Sequence, residues 1–358
     1  MPQVKEPFYN PNLSYEENYD KGPFGAFAEE KAWFPSSSPT HSFLGIPLFF
    51  PFGIPAGPLL NRNFTQAAFK LGFPVATYKT VRSAVHPSHP YPNVMSVKVD
   101  GDLTLEKAKV PLVANTQYTK PLSITNSFGV PSKSPELWQD DIRLAVQDAH
   151  EGQLLIGSFQ GTSKGAGAEA FIQDCVQTAQ LVAETGVKVL EINLSCPNEG
   201  TSNLLCFDLE RVEQVVKAIK QKISLPLVLK IAYFADQEQL KRMVVDIGSL
   251  VEGLSAINTI PATIVDKDGN QALPGKGRAV SGVCGTAIQW AGLEMVTRLK
   301  ELRSQHNLKF SIVGVGGVMQ VSDYQAYRQA GADLVMSATG AMWNPYLAQE
   351  IAKSEGVA

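Results

Sequence analysis

Residues 186–198 read Gly-Val-Lys-Val-Leu-Glu-Ile-Asn-Leu-Ser-Cys-Pro-Asn. Gly186 closes a helical pattern over Ala168–Thr185, since glycine adopts the left-handed backbone that ends a helix. The apolar run Val187–Ile192 then reads as a buried strand. It ends in a polar cluster, Asn193 to Asn198, and a second amphipathic stretch follows at Asp208–Ile223 with Asp208 in a capping position. A buried strand, a polar turn and a covering helix form the repeating unit of a parallel α/β protein.

That unit recurs along the chain. Strands are predicted at Phe52–Gly57, Val75–Val81, Leu154–Gln160, Val187–Asn193, Leu227–Ala232, Leu254–Thr259, Phe310–Val315 and Leu334–Ala338. Helical patterns between them include Asp236–Leu250, Thr286–His306 and Val321–Ala330. Eight such strands predict a (β/α)8 TIM barrel. A doubly wound sheet would carry a glycine-rich fingerprint after its first strand, but the turn there reads Pro58-Leu59-Leu60-Asn61. Two long excursions, Arg82 to about His150 and Pro261–Gly285, are expected on the carboxyl-end face, as lids or binding segments. Residues 1–45, rich in aromatics, proline, serine and acids, are expected to form an irregular arm on a barrel spanning residues 46–358.

Hydrophobic residues make up 44% of the 358 and charged residues 18%, enough for a sizeable core. A net charge of −3 gives no electrostatic case for nucleic acid or an anionic membrane. Four cysteines without Cys-x-x-Cys spacing and five scattered histidines argue against a disulfide framework, an iron–sulfur cluster or a metal site. No leader peptide is visible, and no run approaches about 18–20 apolar residues. A cytoplasmic protein with no membrane span is expected.

In a barrel the active site lies at the carboxyl ends of the strands. Those ends hold Ala56-Gly57, Lys79-Thr80, Asn193 to Asn198, Asn258-Thr259, Gly314-Val315-Gly316-Gly317 and Ala338-Thr339-Gly340, with Lys230 inside the fifth strand. The two glycine clusters suit a phosphate, because glycine lets successive N–H groups converge on an anion. A sugar phosphate or a flavin mononucleotide fits equally. Lys230, in an apolar strand, needs a partner. The flavin N1/O2 edge is one, while a Schiff-base lysine with Lys79 as second cation is the aldolase alternative. A free cysteine is usually a small hydrophobe, which suits Cys175 and Cys206. Cys196, among carboxamides at a strand mouth, reads instead as a proton-transfer group.

Taken together, Pro55-Ala56-Gly57, Tyr78-Lys79-Thr80, Asn126-Ser127-Phe128-Gly129-Val130-Pro131, Asn193 to Asn198, Lys230, Asn258-Thr259 and Gly314 to Gly317 resemble the dihydroorotate dehydrogenase family, from about Phe52 to Ala352. Cysteine at the base position is similar to its soluble class 1 branch. The resemblance implies FMN across the barrel mouth, with its phosphate at Gly316, Gly317, Thr339 and Gly340. Lys230 and Lys79 would be near the flavin, Ala56, Gly57 and Thr80 along the ring, and Asn193, Ser281 and Gly282 at the isoalloxazine and ribityl. Lys79, Asn126, Gly129, Val130, Asn193, Asn198, Asn258 and Thr259 would hold dihydroorotate or orotate. Cys196, assisted by Lys79 and Ser195, would take a proton from C5 as hydride leaves C6 for flavin N5. A homodimer using fumarate is implied, and a related dihydropyrimidine oxidoreductase is the nearest alternative. Three departures stand out: Ser132 replaces an asparagine, Glu199–Cys206 lacks a Gly-Lys-Pro run, and Ser281-Gly282-Val283-Cys284-Gly285 has Ser and Cys for two glycines.

Overall fold

A computed structural model describes residues 6–29, 31–36, 38–163, 165, 167–195 and 204–357. Eight parallel strands close a barrel in chain order: β1 (Phe52–Ile54), β2 (Val75–Val81), β3 (Leu154–Phe159), β4 (Val189–Asn193), β5 (Leu227–Ile231), β6 (Gly253–Ala256), β7 (Ser311–Val315) and β8 (Leu334–Met336). The TIM barrel predicted from the strand–helix repeat is therefore present. Several strands stop short of their predicted ends. β6, for example, ends at Ala256 rather than Thr259, because the last polar residues leave the ladder to line the mouth. The Asp236–Leu250 helix is also interrupted, passing from an α-helix at Gln237–Arg242 to a π turn at Met243–Ile247.

Side chains alternate across each strand. Val75, Ile156, Val189, Val228, Val313 and Leu334 therefore meet inside the barrel. Phe43 and Leu48 join them from a hairpin, His41–Phe43 with Ile46–Leu48, which closes the amino end just before β1. This hairpin straddles residue 45. The chain before it is more regular than expected: Ser14 and Glu17 form a capping box on the helix Tyr15–Lys21. Its aromatic residues are buried. Phe8 packs on Phe27 with centroids 4.4 Å apart, and Tyr9 and Tyr15 meet Phe128 at 5.3 and 5.8 Å.

The two excursions are joined to each other. Val94–Val97, Leu112–Asn115 and Ser123–Asn126 from the first pair with Ile260–Val265 and Val280–Gly285 from the second, in one five-stranded sheet closed on itself as a small barrel. Among the described residues no helix is long and apolar enough to cross a membrane.

Candidate active site

Between the barrel mouth and this added sheet lies a cleft of about 890 Å³ of empty space, including its opening. Ala56, Gly57, Lys79, Thr80, Asn126, Gly129, Val130, Asn193, Lys230, Asn258, Thr259, Gly282 and Thr339 line it. The barrel supplies one wall, and the added sheet supplies Val94, Ile124, Asn126, Gly282 and Cys284. Cys196 and Asn198 lie outside the described residues, as does the segment 199–203.

Lys79 and Thr80 reach the cleft together through a β-bulge. Tyr78 pairs with Gly157 and Val81 with Phe159, so β2 carries one residue more than β3 over that interval. A bulge of this kind re-aims side chains at a site. Lys79 is only 5% exposed. Lys230 is equally buried, and its Nζ donates to the Ala56 carbonyl at 3.0 Å.

Asn193 and Asn258 are fixed by the residue just before Cys196. Ser195 N–H donates to Asn193 Oδ1 at 3.2 Å, Asn258 Nδ2 donates to the Ser195 carbonyl at 2.8 Å, and Ser195 Oγ donates to the Lys230 carbonyl at 3.3 Å. Ser195 is 1% exposed and is not among the cleft residues. Its hydroxyl serves the backbone of β5. Asn193 Nδ2 also donates to Gln160 Oε1 at 3.1 Å.

The loop Asn126–Pro131 has positive φ at Gly129 (+82°) and at Val130 (+49°). The latter is an outlier for a β-branched residue. Two buried arginines hold it: Arg82 Nε donates to the Val130 carbonyl at 2.9 Å, and Arg278 donates to Ser127 Oγ and the Ser127 carbonyl at 3.0 and 3.1 Å. Burial pushes the Arg278 guanidinium down to about 10. Ser132, the first departure, accepts from Arg82 N–H at 3.0 Å and donates to the Lys133 carbonyl at 3.0 Å, so it anchors this loop.

At the glycine end, Gly316 and Gly317 have φ of +128° and +67°. The Gly316 carbonyl accepts from Tyr327 OH at 2.6 Å. A Cβ on Gly340 would collide with the Val318 carbonyl, so the two clusters abut and glycine is required there. The cleft reaches Val315, Ala338 and Thr339 at this end. Gly316, Gly317 and Gly340 are not among its lining residues. Ser281 stands behind the wall, with its Oγ donating to the Asn126 carbonyl at 2.8 Å.

Three further residues stand at the site; the sequence marked Cys284 as a departure and gave Glu191 and Ser255 no role. Cys284 Sγ lies 3.5 Å from both Asn126 Nδ2 and Thr339 Oγ1, and burial pushes its thiol up. Glu191, 1% exposed, accepts from Ser158 Oγ at 3.0 Å. Its signal was an acid at the inward parity of an apolar strand, shared with Val189 and Asn193. Ser255 pairs in register with Lys230, and its buried Oγ has no hydrogen-bond partner.

The site thus offers two ammonium groups, several carboxamides and apolar lining from Pro55, Val94, Ile124, Phe128 and Met342, and a Cβ on Gly57 would meet no atom within 4 Å. This donor set fits a planar ligand with alternating donors and acceptors. The dihydroorotate dehydrogenase family model matches residues 109–354. A Dictyostelium discoideum protein named dihydroorotate dehydrogenase is 34% identical over 97% of both chains. The NAD(+)-type catalytic subunit of Thermodesulfovibrio yellowstonii is 26% identical over 65% of this chain and 72% of its own. The quinone-type enzyme of an Arthrobacter strain is 26% identical over 89% and 86%. The chain therefore belongs to the dihydroorotate dehydrogenase family and is an oxidoreductase.

Proposed function

We propose that this protein oxidises dihydroorotate to orotate in pyrimidine biosynthesis, using FMN held in the cleft and Cys196 as base. The observation that carries the reading is the convergence of Lys79, Lys230, Asn126, Asn193 and Asn258 on one cleft at the carboxyl end of the barrel. The described residues fit a flavin: Lys230 supplies a cation, Gly57 leaves open space, and the cleft runs to Val315, Ala338 and Thr339 beside the two glycine clusters. A bound flavin supplies the two-electron chemistry.

The protein's own residues orient the substrate and move the proton. Lys79 offsets the substrate carboxylate, which favours dihydroorotate over pyrimidines lacking it. Each asparagine both donates and accepts along the pyrimidine edge. Cys196 takes the C5 proton. Ser195 supports that role, because its N–H, carbonyl and hydroxyl are all bonded to residues of β4, β5 and the turn after β6. Thr80 and Ala56 flank the ring, and Gly129 and Val130 cover the substrate.

We read residues 1–45 as an arm that braces Phe128 and the two excursions as the cover of the site. The reading includes a cytoplasmic homodimer reduced by dihydroorotate and reoxidised by fumarate. Exposed Val110, Val113 and Val280 on or beside the added sheet support a second copy as partner. Anaerobic titration with dihydroorotate tests the whole reading: the purified protein should be yellow and bleach stoichiometrically. Fumarate should then restore the colour faster than quinone or NAD. A colourless protein trapped by borohydride plus a phosphosugar would instead establish the aldolase alternative.

A further inference from the structure

Glu191 is among the most buried carboxyls of the described residues, and the reaction outlined above gives it no task. On β4 it stands between Val189, which belongs to the inner barrel cluster, and Asn193, which lines the cleft. It thus occupies the layer directly beneath the cleft floor. On the β3 side Ser158 pairs with it in register and donates to Oε1 at 3.0 Å. Thr80 Oγ1 lies 3.0 Å from Ser158 Oγ and opens on the cleft. On the β5 side Val228 pairs in register with Glu191 and Lys230 with Asn193, so Lys230 stands one layer above Glu191 on the same inward face. A buried carboxylate is costly, and an apolar residue of similar volume usually packs there without loss.

We propose that Glu191 is a positioning residue that tunes the flavin: its carboxylate, tethered through Ser158 to Thr80, offsets part of the Lys230 charge and so limits how strongly the site prefers reduced over oxidised flavin. This rests on the flavin reading above. In a low-dielectric interior a charge one layer away is only weakly screened. Lys230 alone would hold the reduced, more negative flavin tightly and slow its reoxidation. Glu191 moderates that preference.

The test is the midpoint potential of the bound flavin, measured by anaerobic dye-coupled titration of the purified protein on the alkaline side of the Glu191 titration, where its carboxyl carries the charge. Glu191→Gln keeps the shape and a group able to bond Ser158 but removes the negative charge. The reduced flavin should then bind about tenfold more tightly relative to the oxidised form, a shift of about +30 mV for a two-electron couple. In a Lys230→Gln background the same change should shift the potential by less, since neighbouring charges are coupled. Should Glu191→Gln fail to fold, Ser158→Ala decides. It removes the bond that favours the charged carboxyl, and its shift should have the same sign. An unchanged or more negative potential in the folded variant overturns the proposal. A wild-type protein that binds no flavin overturns the flavin reading itself.

Discussion

Lys230 on β5 donates to the backbone carbonyl of Ala56, in the turn after β1, at 3.0 Å. β1 and β5 stand opposite each other in the eight-stranded ring, so this bond crosses the barrel mouth. It holds an ammonium group at the floor of the cleft, and it ties that group to the turn whose next residue, Gly57, leaves open space. Position and charge are thus set by one contact.

Lys230→Met retains most of the volume while removing the charge and the bond. Flavin reduction by dihydroorotate should slow by about 10²-fold, the usual loss when one preorganised electrostatic group is removed. Stopped-flow absorbance would measure it. A rate within threefold of wild type would show that Lys230 plays no part in the chemistry.

Gly57 and Gly317 should respond differently to alanine. Gly57 has φ +139° and no atom within 4 Å of the added Cβ, whereas at Gly317 (φ +67°) the Cβ would lie 2.8 Å from Gln289 Cα and 2.9 Å from its N. Gly317→Ala should lower stability by more than the roughly 1–2 kcal/mol of left-handed strain, and the thermal unfolding midpoint should fall. Gly57→Ala should lose only the roughly 1–3 kcal/mol of its own positive-φ strain, with no added clash, but should lose flavin content, read from the ratio of visible to 280 nm absorbance. Full flavin content in Gly57→Ala would place the ring elsewhere.

Cys196→Ala should leave a folded yellow protein whose reduction by dihydroorotate falls by about 10²–10⁴, the range for a general base. Orotate binding, followed by perturbation of the flavin spectrum, should change little. Loss of orotate binding together with turnover would assign Cys196 to substrate holding instead.

Glu191 carries a pH signature. Burial holds its carboxyl above the usual range, with Lys230 and Ser158 pulling it down by less. An acid raised in this way binds its proton more tightly folded than unfolded. Its stabilising contribution is therefore full below the unfolded value of about 4.3 and is lost as pH rises through the folded value. Relative to Glu191→Gln, wild type should lose thermal stability as pH rises from about 4 towards neutrality. Parallel profiles of unfolding temperature against pH would contradict this.

Much of the site was legible because its chemistry is written locally. Asn193, Lys230, Asn258 and Thr339 each follow or end an apolar run, and the barrel rule sends such ends to one face. Ser195 was read as part of the reacting centre, yet its hydroxyl is bonded to the backbone of β5. Nothing in its neighbours along the chain distinguishes a catalytic hydroxyl from a tethering one. Arg82 and Arg278 escaped notice for the same reason, since their acceptors lie 48 and 151 residues away.

By itself the sequence determined the eight strands, their order and the polar set at their carboxyl ends. Strand periodicity, glycine stops and caps act over a few residues and need no distant partner. Tertiary structure alone decided that the two excursions share one sheet, that a bulge brings Lys79 and Thr80 to the cleft together, and that Glu191 lies one layer beneath Lys230. Each of these depends on register between strands far apart in the chain, where a shift of one residue exchanges the two faces. Hydrophobic pattern specifies which side of a strand is buried, but not which neighbour it meets.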